Sequence, residues 1–204
     1  MLSPESVLFD KFFTESFTLE TPRVVLRPLI REDYEAFLPL CKSPETWKYF
    51  SKDLGSESEL QSWIDGALRE KAEKKRMPFT IIDQDTKKIC GSSSYLNISF
   101  YDQRIEIGGS WLGPEFVGMG VNKQAKFALL SYAFEVMKME RVEAKTDMLN
   151  ERAKAGLLKV GMIPEGILRS HTLMHSARRR DTIYFSIIRN EWQERKQQFF
   201  PEHL

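Results

Sequence analysis

Apolar and polar positions follow two different spacings in the first third of the chain. Residues 17–29 alternate, which predicts a first strand, and residues 31–43 repeat their apolar positions at helical spacing. Residues 56–76 predict a longer amphipathic helix, with Ser56 or Ser58 as its N-cap. The basic end of this helix, Lys71–Arg76, is interpreted as a solvated terminus, with a binding patch as the alternative.

The rest of the chain changes from alternation to helical spacing and back. From Asn122 the apolar period lengthens to about 3.6 residues, which predicts a central amphipathic helix with Val136 on its buried stripe. A short helix is predicted over residues 150–161, with Asn150 as N-cap and Gly161 in the left-handed C-terminal position. Residues 190–200 predict a helix or a tail. Alternating segments predict six further strands, at residues 77–84, 87–100, 104–113, 141–149, 165–174 and 181–189. This order is typical of a mixed α/β layer domain.

Composition narrows the class of protein. The 204 residues, 42% apolar and 29% charged, suit one globular domain, and a net charge of +1 favours neither nucleic acid nor an anionic membrane as partner. Cys41 and Cys90 lie far apart, which fits neither a disulfide framework nor a zinc site, so we expect reduced thiols and no metal. The sequence shows neither a secretory signal nor an apolar run of membrane-spanning length, and a cytoplasmic location is expected.

The stretch EFVGMGVNKQAK places two glycines directly before the central helix. Gly118 and Gly120 can adopt positive φ, and the backbone N–H groups and dipole of the helix would point at one spot. A phosphate cradle and an ordinary tight turn both remain open on these residues. A Rossmann fingerprint and a Walker P-loop do not fit, because Lys123 stands where the third Rossmann glycine would be and no Gly-Lys-Ser/Thr follows.

Four separated segments together resemble the GNAT acetyltransferase superfamily, in particular its RimJ/RimL-like branch. They are LRPLIREDYEAF, EIGGSWLGPEFVGMGVNKQAKFALLSYAFEVM, RVEAKTDMLNERAKAGLLKVGMIPEGILRSH and RDTIYFSIIRNEW. The resemblance covers residues 18–192 and implies a mixed, mostly antiparallel sheet flanked by helices, with residues 1–17 as an extension and 193–204 as a tail. It implies direct transfer of an acetyl group from acetyl-CoA to a primary amine. The alternative is a non-catalytic acyl-CoA-binding sensor or interaction module.

The resemblance also assigns candidate coenzyme contacts. The pyrophosphate would bind the turn Val117–Asn122, in which the two glycines match the family motif while Val117 and Asn122 depart from it. The pantetheine would run along Ser110–Leu112, with the N–H of Leu112 polarising the thioester carbonyl. Asn150 matches a further coenzyme contact and is equally natural as a helix N-cap. Lys154 is a candidate phosphate contact or an exposed lysine. The candidate coenzyme-binding residues are Trp111, Leu112, Val117, Gly118, Met119, Gly120, Val121, Asn122, Asn150 and Lys154.

Candidate catalytic groups follow from the same resemblance. Glu106 matches the acid that accepts the amine proton, and its alternative is a strand glutamate paired with lysine or arginine. Leu157 occupies the position of the tyrosine that protonates the thiolate in many relatives, which leaves Ser110, Tyr132 or water for that role. His171 is a candidate substrate contact or a surface histidine.

The acceptor is predicted only as a class. Relatives acetylate protein N-termini and small-molecule amines, and an α-amine, with a pKa of about 8 against about 10.4 for lysine, loses its proton more easily. Arg178–Arg180 either solvate the last turn or attract an acidic acceptor. Homodimers are frequent among such relatives, and the residues themselves leave the oligomeric state open.

Overall fold

The computed structural model describes residues 12–13 and 17–204. Eight strands form one sheet in the order β1-β2-β3-β4-β5-β6-β8-β7, antiparallel throughout except for the parallel pair β5 and β6. The strands are β1 (Leu19–Glu20), β2 (Val24–Pro28), β3 (Arg76–Asp83), β4 (Lys88–Ser99), β5 (Arg104–Leu112), β6 (Arg141–Asp147), β7 (Ile163–Leu173) and β8 (Arg179–Ile188). The predicted mixed, mostly antiparallel sheet flanked by helices is confirmed.

Six α-helices accompany the sheet in the described part of the chain. They are α1 (Asp33–Leu40), α2 (Pro44–Trp47), α3 (Glu57–Ala72), α4 (Val121–Ser131), α5 (Glu151–Leu158) and α6 (Arg189–Phe199). Pro114–Phe116 and Pro201–His203 form 3-10 turns, and Tyr132–Val136 form a π-helical turn. Of the two predicted caps of α3, Ser56 is the N-cap, since its hydroxyl accepts a hydrogen bond from the N–H of Glu59 at 3.2 Å.

Two predictions about local structure are wrong, and a third is wrong at one residue. The single first strand is two short strands, because the hydroxyl of Thr21 accepts the N–H of Val24 at 3.0 Å and closes a turn between β1 and β2. In the run Lys71–Arg76, predicted as a solvated helix terminus, Lys74 and Lys75 are exposed but Arg76 begins β3 and is buried. Val136, predicted on the buried stripe of the central helix, is 60% exposed because the chain has left α-helical geometry there.

Consecutive residues of β5 define the two layers that flank the sheet. Ser110 contacts Lys126 of α4 on one face, whereas Trp111 packs against Phe37 of α1 and Trp63 of α3 on the other. α6 lies in the α4 layer, where its Trp192 stacks on Phe134 at 5.3 Å between ring centroids. Each face of β5 is therefore covered by a different layer of helices.

Both predicted terminal segments contribute side chains to the core. Phe12, within the proposed extension 1–17, is buried against Tyr95 and Tyr132, and the rest of that extension before Phe17 lies largely outside the described residues. In the proposed tail 193–204, Phe200 is fully buried against Phe127. The domain boundaries at 18 and 192 stay predictions.

Candidate active site

The parallel strands β5 and β6 pair only at their beginnings. Arg104–Glu106 register with Arg141–Glu143, and in the described structure no pairing between the two strands extends further, although β5 continues to Leu112 and β6 to Asp147. An opening between two central strands leaves backbone N–H and C=O groups without strand partners in the middle of the sheet. Such an opening can accept the amide groups of an extended ligand.

Glu106 lies at the last paired position, where the opening begins. Its side chain is almost fully buried, and its Oε2 accepts hydrogen bonds from Asn97 Nδ2 at 2.7 Å and from Lys145 Nζ at 2.8 Å. Oε1 has no hydrogen-bond partner among the described residues and lies over Gly108, where a Cβ atom would come within 2.8 Å of it. One carboxylate oxygen is thus fixed by two donors, and the other has no hydrogen-bond partner among the described residues.

Lys126 is buried on the opposite face of β5. Its Nζ donates to Ser110 Oγ at 3.0 Å, and Ser110 Oγ is 2.7 Å from Ser93 Oγ. Burial lowers the pKa of Lys126 to about 8, while the negative charge of Glu106 opposes this shift. The lysine has no salt-bridge partner in the described structure, so the hydroxyl of Ser110 is its only hydrogen-bonded contact there.

The glycine turn has the geometry that the sequence predicts for it. Gly118 and Gly120 both have positive φ, at 85° and 81°, and a Cβ atom on either would meet nothing within 4 Å. α4 begins directly after Gly120, and no side chain caps its first N–H groups. Asn122 in the first turn faces Gly156 of α5, so the two helices border one open surface. These features fit a phosphate group, because open N–H groups and a helix dipole both favour an anion.

Two further candidate residues lie on α5. Asn150 is the N-cap, and its Oδ1 accepts the N–H of Ala153 at 3.0 Å, which leaves its side-chain NH₂ group available. Lys154 is not the exposed lysine of the alternative interpretation: its side chain is largely buried and its Nζ pairs with Glu151 at 2.7 Å. Leu157, which stands in place of the tyrosine, is buried.

The remaining candidates are spread over the molecule. Tyr132 packs against Phe17 in an aromatic cluster, and burial raises its pKa. His171 is exposed on β7 with Nδ1 3.1 Å from Thr182 Oγ1. Arg178 does not simply solvate the turn, because it forms an ion pair with the buried Asp147.

A cavity of about 250 Å³ opens beside the Glu106 face of β5. Four of its fourteen lining residues are aromatic, and it borders the sheet at Leu96 of β4 and at Gly109 and Trp111 of β5, whereas Glu106 is not among its lining residues. The residues that line it include Trp47, Phe50, Trp63, Glu70, Arg76 and Trp111. The side chain of Trp111 forms part of this cavity, and the coenzyme contact predicted for its backbone stays a prediction.

The fold brings four further side chains to this region; sequence reasoning assigned no role to three of them and named Arg76 only within the run whose alternative interpretation was a binding patch. Asn97, Lys145, Lys126 and Arg76 each come from a different element, and single polar residues on a strand or helix give no periodic signal. The one available clue was Lys126, a lysine within the apolar stripe of a predicted amphipathic helix.

Comparison with known proteins identifies the family. Residues 23–163 match the family described as the Acetyltransferase (GNAT) domain. YoaA of Bacillus subtilis, an uncharacterized N-acetyltransferase, is 27% identical over 172 residues, 84% of this chain and 96% of YoaA. YdaF of Bacillus subtilis, which has the provisional name of a ribosomal N-acetyltransferase, is 32% identical over 108 residues, 53% of this chain and 58% of YdaF. The crystal structure of a provisionally named acetyltransferase from T. thermophilus is 30% identical, covers 92% of this chain and 97% of its own, and superimposes with a TM-score of 0.82.

The split sheet and the helix that follows its glycine turn are those of an acetyltransferase. This chain belongs to the GNAT acetyltransferase family. The predicted class, an N-acetyltransferase, is confirmed, and the name of YdaF agrees with the RimJ/RimL-like branch. None of the helices among the described residues is long and apolar enough to span a membrane. Within the same residues, no group of three or more His, Cys, Asp and Glu side chains is placed to hold a metal ion.

Proposed function

We propose that this protein transfers the acetyl group of acetyl-CoA directly to a primary amine, with Glu106 as the group that accepts the amine proton. The observation that supports this most is the opening between β5 and β6, which begins at Glu106 and Glu143. A buried carboxylate, an aromatic cavity and an uncapped helix N-terminus all border the same strand or its continuation.

The residues that would hold the coenzyme form two groups. The backbone of Gly118–Asn122 would bind the pyrophosphate at the start of α4, with Val117 and Met119 as exposed flanks. Ser110–Leu112 would bind the pantetheine amides by backbone hydrogen bonds, and the free NH₂ group of Asn150 is a third contact. When bound, acetyl-CoA supplies an activated acetyl thioester.

Glu106 is suited to take up a proton from the acceptor. In the transfer, the amine nitrogen bonds to the acetyl carbon, the carbon–sulfur bond breaks, the amine loses one proton and the sulfur gains one. The ordered Oε2 keeps the carboxylate in one orientation, and Oε1 lies over Gly108, next to Gly109, which borders the cavity. A general base must lie within hydrogen-bond reach of the proton it removes, and Oε1 is the oxygen of Glu106 that has no hydrogen-bond partner among the described residues.

Ser110 and Lys126 are suited to return a proton to the sulfur. Ser110 donates its hydroxyl proton and recovers one from Lys126 Nζ, 3.0 Å away. Burial lowers the pKa of Lys126 to about 8, so near neutral pH the lysine is protonated yet gives up its proton more readily than an ordinary lysine. Lys126 acts through Ser110 and is therefore a positioning residue, and the pair takes the place of the tyrosine that Leu157 replaces.

The test is an assay of thiol release with acetyl-CoA and a panel of amines. We expect release that depends on the amine and an acetylated amine detected by mass spectrometry. The panel contains peptides with free N-termini, amino acids, polyamines and amino sugars, because the name of YdaF points to ribosomal proteins whereas the small cavity favours small acceptors. CoA binding without release for any amine would contradict the proposal.

A further inference from the structure

The cavity beside β5 contains a guanidinium group that the described structure satisfies only in part. Nε of Arg76 donates to Ser94 Oγ at 2.9 Å, and its Nη1 lies 3.4 Å from Glu70 Oε2, a long contact, while Nη2 has no partner among the described residues. Arg76 lines the cavity together with the ring of Trp111.

The charge of Arg76 is only partly balanced. Its side chain is 11% exposed and its guanidinium lies 5.2 Å from the ring centroid of Trp63. Burial lowers the pKa of Arg76, and Glu70, which is half-exposed, opposes that shift only in part. Lys52 also lines the cavity. The three charged residues that line it, Arg76, Glu70 and Lys52, together carry one net positive charge. A buried cation costs free energy unless an anion meets it, so the cavity is electrostatically prepared for one.

The unsatisfied guanidinium nitrogen and the free oxygen of Glu106 flank the same short stretch of β5. A Cβ atom on Gly109 would lie 3.6 Å from Nη2 of Arg76, and one on Gly108 would lie 2.8 Å from Oε1 of Glu106. Both groups therefore lie beside neighbouring residues of β5, which is compatible with an acceptor that carries its amine and its anion on one small molecule.

We propose that the acceptor is a free α-amino acid with an apolar or aromatic side chain, whose carboxylate binds Arg76 while its amine faces Glu106. This proposal rests on the proposed function and specifies its substrate. The side chain of the amino acid packs among Trp47, Phe50 and Trp63, and a cavity of about 250 Å³ suits a molecule of that size rather than a folded protein segment.

The first experiment compares matched acceptors that differ only in the carboxylate. L-phenylalanine is compared with phenethylamine, and L-tryptophan with tryptamine, at saturating acetyl-CoA. We expect kcat/KM to be about tenfold to hundredfold higher for the amino acids, the range for a hydrogen bond between charged groups. Equal or higher values for the decarboxylated amines would overturn the proposal.

Substitutions of the charged residues that line the cavity provide a second comparison. Arg76→Gln should raise KM for L-phenylalanine about tenfold or more and leave phenethylamine unchanged, and Arg76→Lys should restore part of the loss. Glu70→Gln removes the competing carboxylate and should lower KM for the amino acid, a gain that a damaged fold would not give. Arg69→Gln, on the exposed neighbour of Glu70, is the matched control. If Arg76→Gln raised KM equally for L-phenylalanine and phenethylamine, Arg76 would have a structural role only.

Binding without turnover separates this proposal from the proposed function. Three of the four tryptophans line the cavity, so intrinsic fluorescence reports its occupancy. L-phenylalanine should change the fluorescence with at least tenfold tighter binding than phenethylamine, and Arg76→Gln should remove the difference. That result supports an amino-acid site even if no acetyl transfer is detected, whereas equal binding of both compounds refutes it.

Discussion

Lys145 Nζ lies 2.8 Å from Oε2 of Glu106, and the two residues belong to the two strands that separate beyond this point. Asn97 donates to the same oxygen from β4, so Glu106 is held from both sides while Oε1 stays free. The two interpretations of Glu106 that the sequence left open, a general base and a strand glutamate in an ion pair, are therefore compatible. The ion pair orients the carboxylate that we propose as the base.

Glu106→Gln tests the base directly. The amide keeps the size of the side chain and can still accept from Asn97 and Lys145, but it cannot take up a proton. We expect kcat to fall by about 10² or more, the usual contribution of a general base, with CoA affinity unchanged. Steady-state kinetics and calorimetric titration with CoA measure the two quantities. A kcat within about threefold of the wild-type value, far short of that contribution, would mean that water or another group removes the proton.

The pairing of Glu106 with Lys145 is measurable by a double-mutant cycle. Lys145→Met leaves a buried carboxylate with one donor fewer and should lower the free energy of unfolding by about 1–3 kcal/mol. In the Glu106→Gln background the same change should cost much less, which gives a coupling energy of about 1–2 kcal/mol after allowance for the partial exposure of Lys145. Urea unfolding of the four proteins provides the values, and additive losses would show that the contact is energetically unimportant.

The elements of this fold were predictable because each depends on its own residues. Alternation and helical spacing placed the central helix and the strands around it, and Asn150 and Gly161 marked both ends of α5, where the structure has an N-cap and a residue with φ of 82°. The first strand failed because Thr21 closes a turn through its hydroxyl, and alternation alone does not show where a strand is interrupted.

The candidate site was predictable only where family resemblance supplied positions. Glu106 and the glycine turn were proposed in this way, but their surroundings depend on contacts between distant segments. Lys145 is 39 residues from Glu106, and Arg76 is 18 residues from Ser94. Arg76 in particular ended a basic run typical of a solvated helix, and only the start of β3 turns it into the cavity. Long-range pairing of single polar residues leaves no periodic pattern in a sequence.

The glycine turn is tested by comparing two substitutions at Gly118. Either side chain must adopt φ near 85°, at a cost of about 1–2 kcal/mol, and neither meets a steric obstacle. Gly118→Ala therefore measures backbone strain alone, and Gly118→Asp adds a negative charge where we propose the pyrophosphate. We expect Gly118→Asp to weaken CoA binding at least tenfold more than Gly118→Ala, with the difference shrinking at high salt. Equal CoA affinities for the two variants would show that the glycine turn does not bind the coenzyme.

Replacement of the side-chain NH₂ group of Asn150 by oxygen can separate its two roles, helix N-cap and proposed coenzyme contact. Asn150→Asp keeps the oxygen that accepts the N–H of Ala153, whereas Asn150→Ala loses it and should cost about 1 kcal/mol of stability. If the NH₂ group binds the coenzyme, the aspartate variant should retain stability within about 0.5 kcal/mol and lose about tenfold in CoA affinity. Thermal unfolding and CoA titration provide the two readouts. Wild-type CoA affinity in Asn150→Asp would leave Asn150 as a helix cap only.

Substitution of the buried Lys126 is expected to change stability and activity in opposite directions. Burial lowers its pKa in the folded protein to about 8, against about 10.4 in the unfolded chain. Between these values the unfolded chain binds more protons, so the free energy of unfolding rises as pH increases from about 8 to about 10.4. Below a pH of about 8 the lysine is charged in both states and its full penalty, about 3 kcal/mol, opposes folding.

Lys126→Met removes this penalty and also the proton supply to Ser110. We expect the free energy of unfolding at about pH 7 to increase by about 2–3 kcal/mol, its rise between about pH 8 and about pH 10 to flatten, and kcat to fall by about tenfold or more. Urea unfolding at both ends of this pH range, together with the pH dependence of kcat, measures these effects, and Lys159→Met at the exposed end of α5 is the control. A variant that is less stable at neutral pH would show that the ammonium contributes to the fold. An unchanged kcat would show that the sulfur receives its proton from elsewhere.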